Sequence, residues 1–267
     1  MYAPAPPRQR EARLAEIVRD FASEPAVVGI FLAGSLASGN ADAHSDIDLR
    51  VVVESAALSR FCADRLSRPT RWTGFLFNEW SDDEACCVSH FEGFGKVDVF
   101  YLGASQLEPS PWLALPIIVL HDPTGIIGLA RARSAIEHSP TDEHLINRAV
   151  GKAVACAVEV GRRVARGELI YAQSLLDGLR QRLVDLEDLL ENRRPGLNCS
   201  FKIEERVSAE LLAALYAACP SAIPAELQRA LAQLAGVCRA LVWQLHERSK
   251  LVASPESFVC ALDALAE

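Results

Sequence analysis

Two apolar rhythms divide this chain of 267 residues. Up to His121 the apolar residues come in short runs bounded by Gly, Asn and Asp, and 13 of the 18 Phe, Trp and Tyr residues lie there. Beyond it the chain is rich in Ala and Leu at helical spacing, and only Tyr171, Phe201, Tyr216, Trp243 and Phe258 are aromatic. Short runs bounded by turn residues make strands, whereas a repeat of three to four residues makes amphipathic helices. The chain is therefore expected to be α+β. A mixed sheet with flanking helices should occupy residues 1–125, and an all-α helical bundle residues 126–267.

The first part opens with a helix over Arg8–Phe21, whose Leu14, Ile17, Val18 and Phe21 share a stripe. Strands are expected at Val27–Ala33, Ile47–Val53, Trp72–Phe77, Cys86–His90 and Lys96–Tyr101, with an edge strand at Ile117–Leu120 before the turn Asp122-Pro123-Thr124-Gly125. A helix over Ala56–Leu66 follows the second strand. The second part reads as helices over Asp142–Arg166, Ile170–Glu191, Glu204–Cys219, Ala225–Lys250 and Pro255–Ala266. Pro220, Pro224 and the Ser254-Pro255 pair punctuate the last three.

Composition removes several function classes. Charged residues make up 23% of the chain, and large aliphatic residues are plentiful, which excludes global disorder. A net charge of −8 argues against a protein that coats nucleic-acid phosphates. The longest apolar run, Trp112–Leu120, contains Pro116 and is less than half a membrane span. Met1–Arg10 has no apolar stretch before a cleavage site, so a cytoplasmic location is expected. The cysteines at 62, 86, 87, 156, 199, 219, 238 and 260 form no C-x-x-C pair, and reduced, buried thiols are expected.

One segment carries chemistry. Gly34-Ser35 closes the first strand, a stretch of small residues follows, and Asp46-Ile47-Asp48 opens the second. In a strand, residues two apart face the same way, so Asp46 and Asp48 present two carboxylates side by side. Two such charges repel unless a cation lies between them. Hard oxygen ligands so placed suit Mg²⁺, which takes further ligands from water and substrate phosphates. Gly34 permits close backbone approach, and Ser35 offers a hydroxyl and an N–H to a phosphate.

The pattern Gly34-Ser35-x10-Asp46-x-Asp48 resembles the nucleotidyltransferase motif of the DNA polymerase β superfamily. The resemblance implies that Ser35 contacts the nucleotide's terminal phosphates and that Asp46 and Asp48 hold divalent metal. It also implies a third acidic ligand on a later strand, supplied here by Asp98 within Lys96–Tyr101. Two Mg²⁺ ions and a nucleoside triphosphate, taken as ATP, are then the implied cofactor and co-substrate. A hydroxyl of a small molecule is the implied acceptor.

The layout is similar to that of the antibiotic nucleotidyltransferases acting on aminoglycosides and lincosamides. Phe77-Asn78-Glu79-Trp80, the turn at His121–Gly125 and the segment Ala165-Arg166-Gly167-Glu168 carry that closer likeness. Asp98 stands where some lincosamide relatives have Glu, which keeps the charge and shortens the reach. The likeness implies that Glu168 binds the acceptor or acts as its general base, and that Arg166 reaches the triphosphate. A solvated helix-start glutamate and a solvated arginine remain alternatives. His44, Trp80, Trp112 and the acidic run Asp82-Asp83-Glu84 each have a plain structural reading beside a substrate-binding one. Two other functions stay open. One is a toxin–antitoxin enzyme that AMPylates a partner protein, for which Arg239-x6-His246 is a loose match to the RNase partner. The other is a nucleotide-binding protein without turnover. A homodimer also remains open.

Overall fold

The computed structural model describes residues 7–79, 83–136, 143–193, 195, 202–249 and 254–265. The chain divides into two compact units, Met1–His138 and Ser139–Glu267.

The first unit runs α1 (Pro7–Ala22), β1 (Val27–Leu32), α2 (Gly34–Ser38), β2 (Ile47–Val53), α3 (Leu58–Asp64), β3 (Phe75–Asn78), β4 (Cys86–Phe91), β5 (Gly95–Gly103), α4 (Pro111–Ala114), β6 (Ile118–His121) and α5 (Ile126–Ile136). The six strands form one sheet in the order β3-β4-β5-β2-β1-β6. β2 and β5 run parallel and the other neighbours antiparallel, which makes the sheet mixed.

Alternation along β2 decides what each sheet face becomes. Ile47, Leu49, Val51 and Val53 join Val97, Val99 and Tyr101 of β5 in a core closed by Ile17 and Phe21 of α1. Ile17 and Phe21 are fully buried, each contributing about 1.5–3 kcal/mol by leaving water. The opposite face has a smaller apolar cluster, with Phe31 and Val52 against Leu113, Ile127 and Ala130. Asp48 pairs in register with Asp98, and Arg50 with Phe100. These residues open their strands on the second face, before the apolar cluster begins.

Helix α5 falls where the sequence reading placed none. Its buried residues are small or few, namely Ile127, Ala130 and Ser134, and Gly128 and two arginines interrupt the stripe. Helix α5 belongs to the first compact unit, Met1–His138.

The second unit comprises α6 (Glu143–Ala165), α7 (Leu169–Leu190), α8 (Ile203–Arg206), α9 (Ala209–Ala217), α10 (Pro224–Arg248) and α11 (Pro255–Asp263). On α6 the buried residues Ile146, Val150, Ala153, Val154, Ala157, Val160 and Val164 keep the expected stripe. They pack with Leu176, Leu179 and Leu183 of α7 and Leu227, Leu234 and Leu241 of α10 in one core. The helix expected over Glu204–Cys219 is instead two. Ser208 breaks it by capping α9: its Oγ accepts from the Leu211 N–H, and it donates to the buried Glu187 at 2.9 Å.

Seven cysteines are free thiols, and Cys199 lies outside the described residues. Cys86, Cys87 and Cys238 are buried as expected, but Cys219 and Cys260 are exposed. No described helix is long and apolar enough to cross a membrane.

Candidate active site

The site begins at the end of β1. Gly34 adopts φ +64°, in the left-handed region that favours glycine. A Cβ built there would lie 1.9 Å from Asp48 Oδ2, so the missing side chain also admits the Asp48 carboxylate. The Ala33 N–H donates to the Asp48 carbonyl at 2.9 Å and ties the end of β1 to the start of β2. Helix α2 is only five residues long, too short to supply a strong helix-terminal field. Ser35 contributes instead through its side chain. The residue is 5% exposed, and among the described residues its Oγ has no hydrogen-bond partner. A buried hydroxyl without a partner costs about 1–3 kcal/mol, so the site leaves Ser35 Oγ with an unmet hydrogen-bonding demand.

The loop from Ser35 to Asp46 is ordered locally. Asp42 Oδ1 accepts from the His44 N–H at 2.8 Å and from Ser45 Oγ at 3.1 Å. From α1, Arg10 Nη1 donates to the Asp42 and Ser45 carbonyls at 2.6 and 3.1 Å. His44 thus serves the turn through its backbone.

Three carboxylates lie along the paired starts of β2 and β5. Asp46 precedes β2, Asp48 lies on it, and Asp98 faces Asp48 on β5. Burial pushes the Asp48 carboxyl above its usual range, and the charges of Asp46 and Asp98 add to the rise. Burial also raises Asp98, against the lowering effect of Lys96. Asp98 Oδ1 is buried without a partner among the described residues. Its Oδ2 accepts from Lys96 Nζ at 2.9 Å, and the same ammonium donates to Asp46 Oδ2 at 3.0 Å. Burial opposes the charge on Lys96, but its bonds to Asp98 and Asp46 outweigh that and hold it well above the ordinary lysine value. Arg50 flanks the cluster, its guanidinium 3.8 Å from the Phe100 ring centroid, and burial lowers its pKa.

The donor set is all hard oxygen and fits Mg²⁺ in chemistry, and the unpartnered Asp98 Oδ1 marks an unmet demand for a cation or donor. Among the described residues, however, no group of three or more His, Cys, Asp or Glu side chains is drawn together as a metal cage. Lys96 supplies positive charge between two of the carboxylates instead. The motif reading passed over Lys96 and Arg10. The signal for Lys96 was its spacing, two residues before Asp98 on one strand face.

The closer likeness maps elsewhere in the same unit. Phe77 stacks on His90 at 4.5 Å between centroids, and Glu79 Oε1 meets His90 Nε2 at 2.6 Å. Asn78 turns to the other face, bonded to the Leu66 carbonyl and Ser89. Trp80 and Asp82 lie outside the described residues. Asp83 Oδ1 accepts from the Ala85 N–H, a turn-forming role. Trp112 is exposed.

Glu168 and Arg166 belong to the helical unit. Arg163 Nη1 donates to Glu168 Oε2 at 2.7 Å, pairs with Glu159 as well, and lies 4.7 Å over the Tyr171 ring. Gly167, at φ +74°, lets α6 end and α7 begin within three residues. Arg166 is exposed at that corner. On α10, Arg239 pairs with Asp263, and His246 stands edge-on to Trp243.

Residues 12–80 match the sequence model of the nucleotidyltransferase domain family, a span that includes Gly34, Ser35, Asp46 and Asp48. Residues 12–80 thus carry a nucleotidyltransferase domain, as the motif resemblance implies, and that domain supports a transferase enzyme. No curated protein matches it by sequence. Among solved structures, an aminoglycoside 6-adenyltransferase from Bacillus subtilis aligns at 10% identity and TM-score 0.45, over 96% of this chain and 98% of that one. A nucleotidyltransferase-like protein from Exiguobacterium sibiricum aligns at 10% identity and TM-score 0.41, over 96% and 89%. A Bradyrhizobium diazoefficiens CD-NTase in complex with GTP aligns at 12% identity and TM-score 0.31, over 99% and 87%. At these TM-scores the likenesses are too loose to transfer a substrate.

Proposed function

We propose that this enzyme moves a nucleoside monophosphate, AMP in the first instance, from a nucleoside triphosphate to a hydroxyl of a small molecule. An aminoglycoside or lincosamide antibiotic is the acceptor to test first, and the cytoplasm is the expected location. The observation that carries the reading is the conjunction of a buried Ser35 hydroxyl, unpartnered among the described residues and next to the Gly34 that abuts Asp48, with the in-register pair Asp48 and Asp98 and the Asp46 bridged to Asp98 by Lys96. The match of residues 12–80 to the nucleotidyltransferase domain supports it.

In this reading Asp46, Asp48 and Asp98 hold divalent metal, and Gly34 and Ser35 receive the triphosphate. Bound Mg²⁺, two ions by the resemblance, supplies charge neutralisation at the transferred and leaving phosphates. The acceptor oxygen bonds to the α-phosphorus, the α–β bridging P–O bond breaks, and pyrophosphate leaves. The hydroxyl proton passes to a carboxylate base, for which Glu168 is the candidate, and Arg166 is the candidate triphosphate contact. Ser35 positions the phosphates, and the carboxylates fix the line of attack. Such transfer depends on placement and charge neutralisation more than on a covalent intermediate.

The test is incubation of the purified enzyme with Mg²⁺, labelled ATP and a panel of aminoglycosides and lincosamides. Pyrophosphate release with label on one drug is the expected result. Asp48→Asn should lower turnover by about 100-fold or more, and Glu168→Gln in the same assay reads the base directly. Full activity in Asp48→Asn would refute the metal role. Label on a co-purified protein would instead favour the AMPylating toxin–antitoxin reading, and nucleotide binding without pyrophosphate release would favour the non-catalytic one.

A further inference from the structure

The charge between the carboxylates is unusual for this chain. Of its 27 Lys and Arg residues only four are lysine, at 96, 152, 202 and 250, and Lys96 is the single lysine before residue 139. The first unit uses arginine wherever it needs a fixed cation, as with Arg10 on the loop carbonyls and Arg68 between Asp20 and Glu24. A guanidinium is a planar fork that locks onto one carboxylate, whereas an ammonium is a compact point charge on a flexible stem. Lys96 holds Asp46 Oδ2 and Asp98 Oδ2 at once, at 3.0 and 2.9 Å, with its side chain 34% exposed. It therefore sits where two like charges most need a cation, on a stem free to swing away.

We propose that Lys96 is an exchangeable cation of the active site, neutralising Asp46 and Asp98 until metal and nucleotide bind and then moving to a phosphate oxygen of the triphosphate. This deepens the nucleotidyl-transfer reading and rests on it. Two features give the exchange its direction. Asp98 Oδ1 remains buried without a partner while Lys96 holds only Oδ2, so the lysine satisfies the cluster incompletely. The small notch that Lys96 also lines carries Arg10 and Arg13, and so offers a displaced ammonium no counter-charge. The anionic triphosphate offers one. Metal binding and triphosphate binding are then coupled through Lys96. Metal alone must strip the carboxylates of their ammonium, whereas with nucleotide present the ammonium gains a new partner.

The experiment measures Mn²⁺ affinity by calorimetry on the full chain, with and without a non-hydrolysable ATP analogue. Lys96→Met and Lys96→Gln should both bind Mn²⁺ alone about 10-fold more tightly than wild type and lose a similar factor of metal–nucleotide coupling. A second readout needs no variant. N-acetoxysuccinimide should label Lys96 slowly in metal-free protein, faster with Mn²⁺ alone, and slowly again with Mn²⁺ and analogue, with Lys152 as internal reference. Unchanged or weaker Mn²⁺ binding in both variants, or Lys96 labelling indifferent to Mn²⁺, would overturn the exchange while leaving the metal reading intact. Wild type that binds no more Mn²⁺ than Asp48→Asn would overturn both.

Discussion

Gly34 shows how one backbone position serves two demands. Its φ of +64° suits glycine, and its missing Cβ leaves room for Asp48 Oδ2, which a methyl group would approach to 1.9 Å. Gly34→Ala should therefore cost about 1–2 kcal/mol of stability through the left-handed conformation alone, readable by thermal denaturation. It should also displace the Asp48 carboxylate and lower kcat/KM by about 100-fold, the usual price of a misplacement near 1 Å. A variant with wild-type kinetics would show that Asp48 does not need its present place. Gly34, Ser35, Asp46 and Asp48 were legible because their chemistry is carried by local spacing. Asp98 was legible only through family resemblance. Lys96 was not read, because its role exists only when parallel pairing brings β5 beside β2.

At the scale of elements, α1 is held to the sheet by apolar contacts and to the segment before β3 by polar ones. Arg68, 2% exposed, bridges Asp20 at 3.0 Å and Glu24 at 2.7 Å, and the Trp72 indole N–H donates to Asp20 at 3.1 Å. Hydrogen bonding to Arg68 holds the Glu24 carboxyl below its ordinary pKa. A carboxyl depressed in the folded state adds stability above its unfolded pKa and loses it as pH falls through the folded value. Arg68→Met should thus destabilise the protein at neutral pH by about 2 kcal/mol, less than for a fully buried pair because both carboxylates still reach water. The gap to wild type should narrow as pH drops through the carboxylate range, in denaturant melts run from pH 7 to 3. A gap that does not change with pH would assign the loss to packing of Arg68 on Phe21 and Phe61 rather than to its charge. The elements that sequence rhythm revealed, α1, β1, β2, α6 and α7, have long or strongly patterned apolar faces. Helix α5 and the break at Ser208 escaped because a short stripe of small residues and a lone serine carry little periodic signal.

For the whole molecule, the net charge of −8 bears on the acceptor. An acidic protein draws a cationic substrate through a field that salt screens over about 8–10 Å. If the acceptor is an aminoglycoside, its KM should rise steadily between 50 and 300 mM salt, on the order of several-fold, while kcat stays constant at saturation. A KM independent of salt would point to a neutral acceptor or to binding without long-range steering. The two compact units carry different burdens: the first holds Asp46, Asp48 and Asp98, and the second an aliphatic core shared by α6, α7, α9, α10 and α11.

The sequence by itself determined the two-part α+β plan and the nucleotidyltransferase motif, because both are written in spacings of a few residues. The tertiary structure decided the strand order, the meeting of Asp48 with Asp98, and the ammonium that stands between Asp46 and Asp98. Those features join residues about 50 positions apart, and only the pairing of β2 with β5 puts them on one face. Local pattern specifies which residues can do chemistry, and long-range pairing specifies which of them touch.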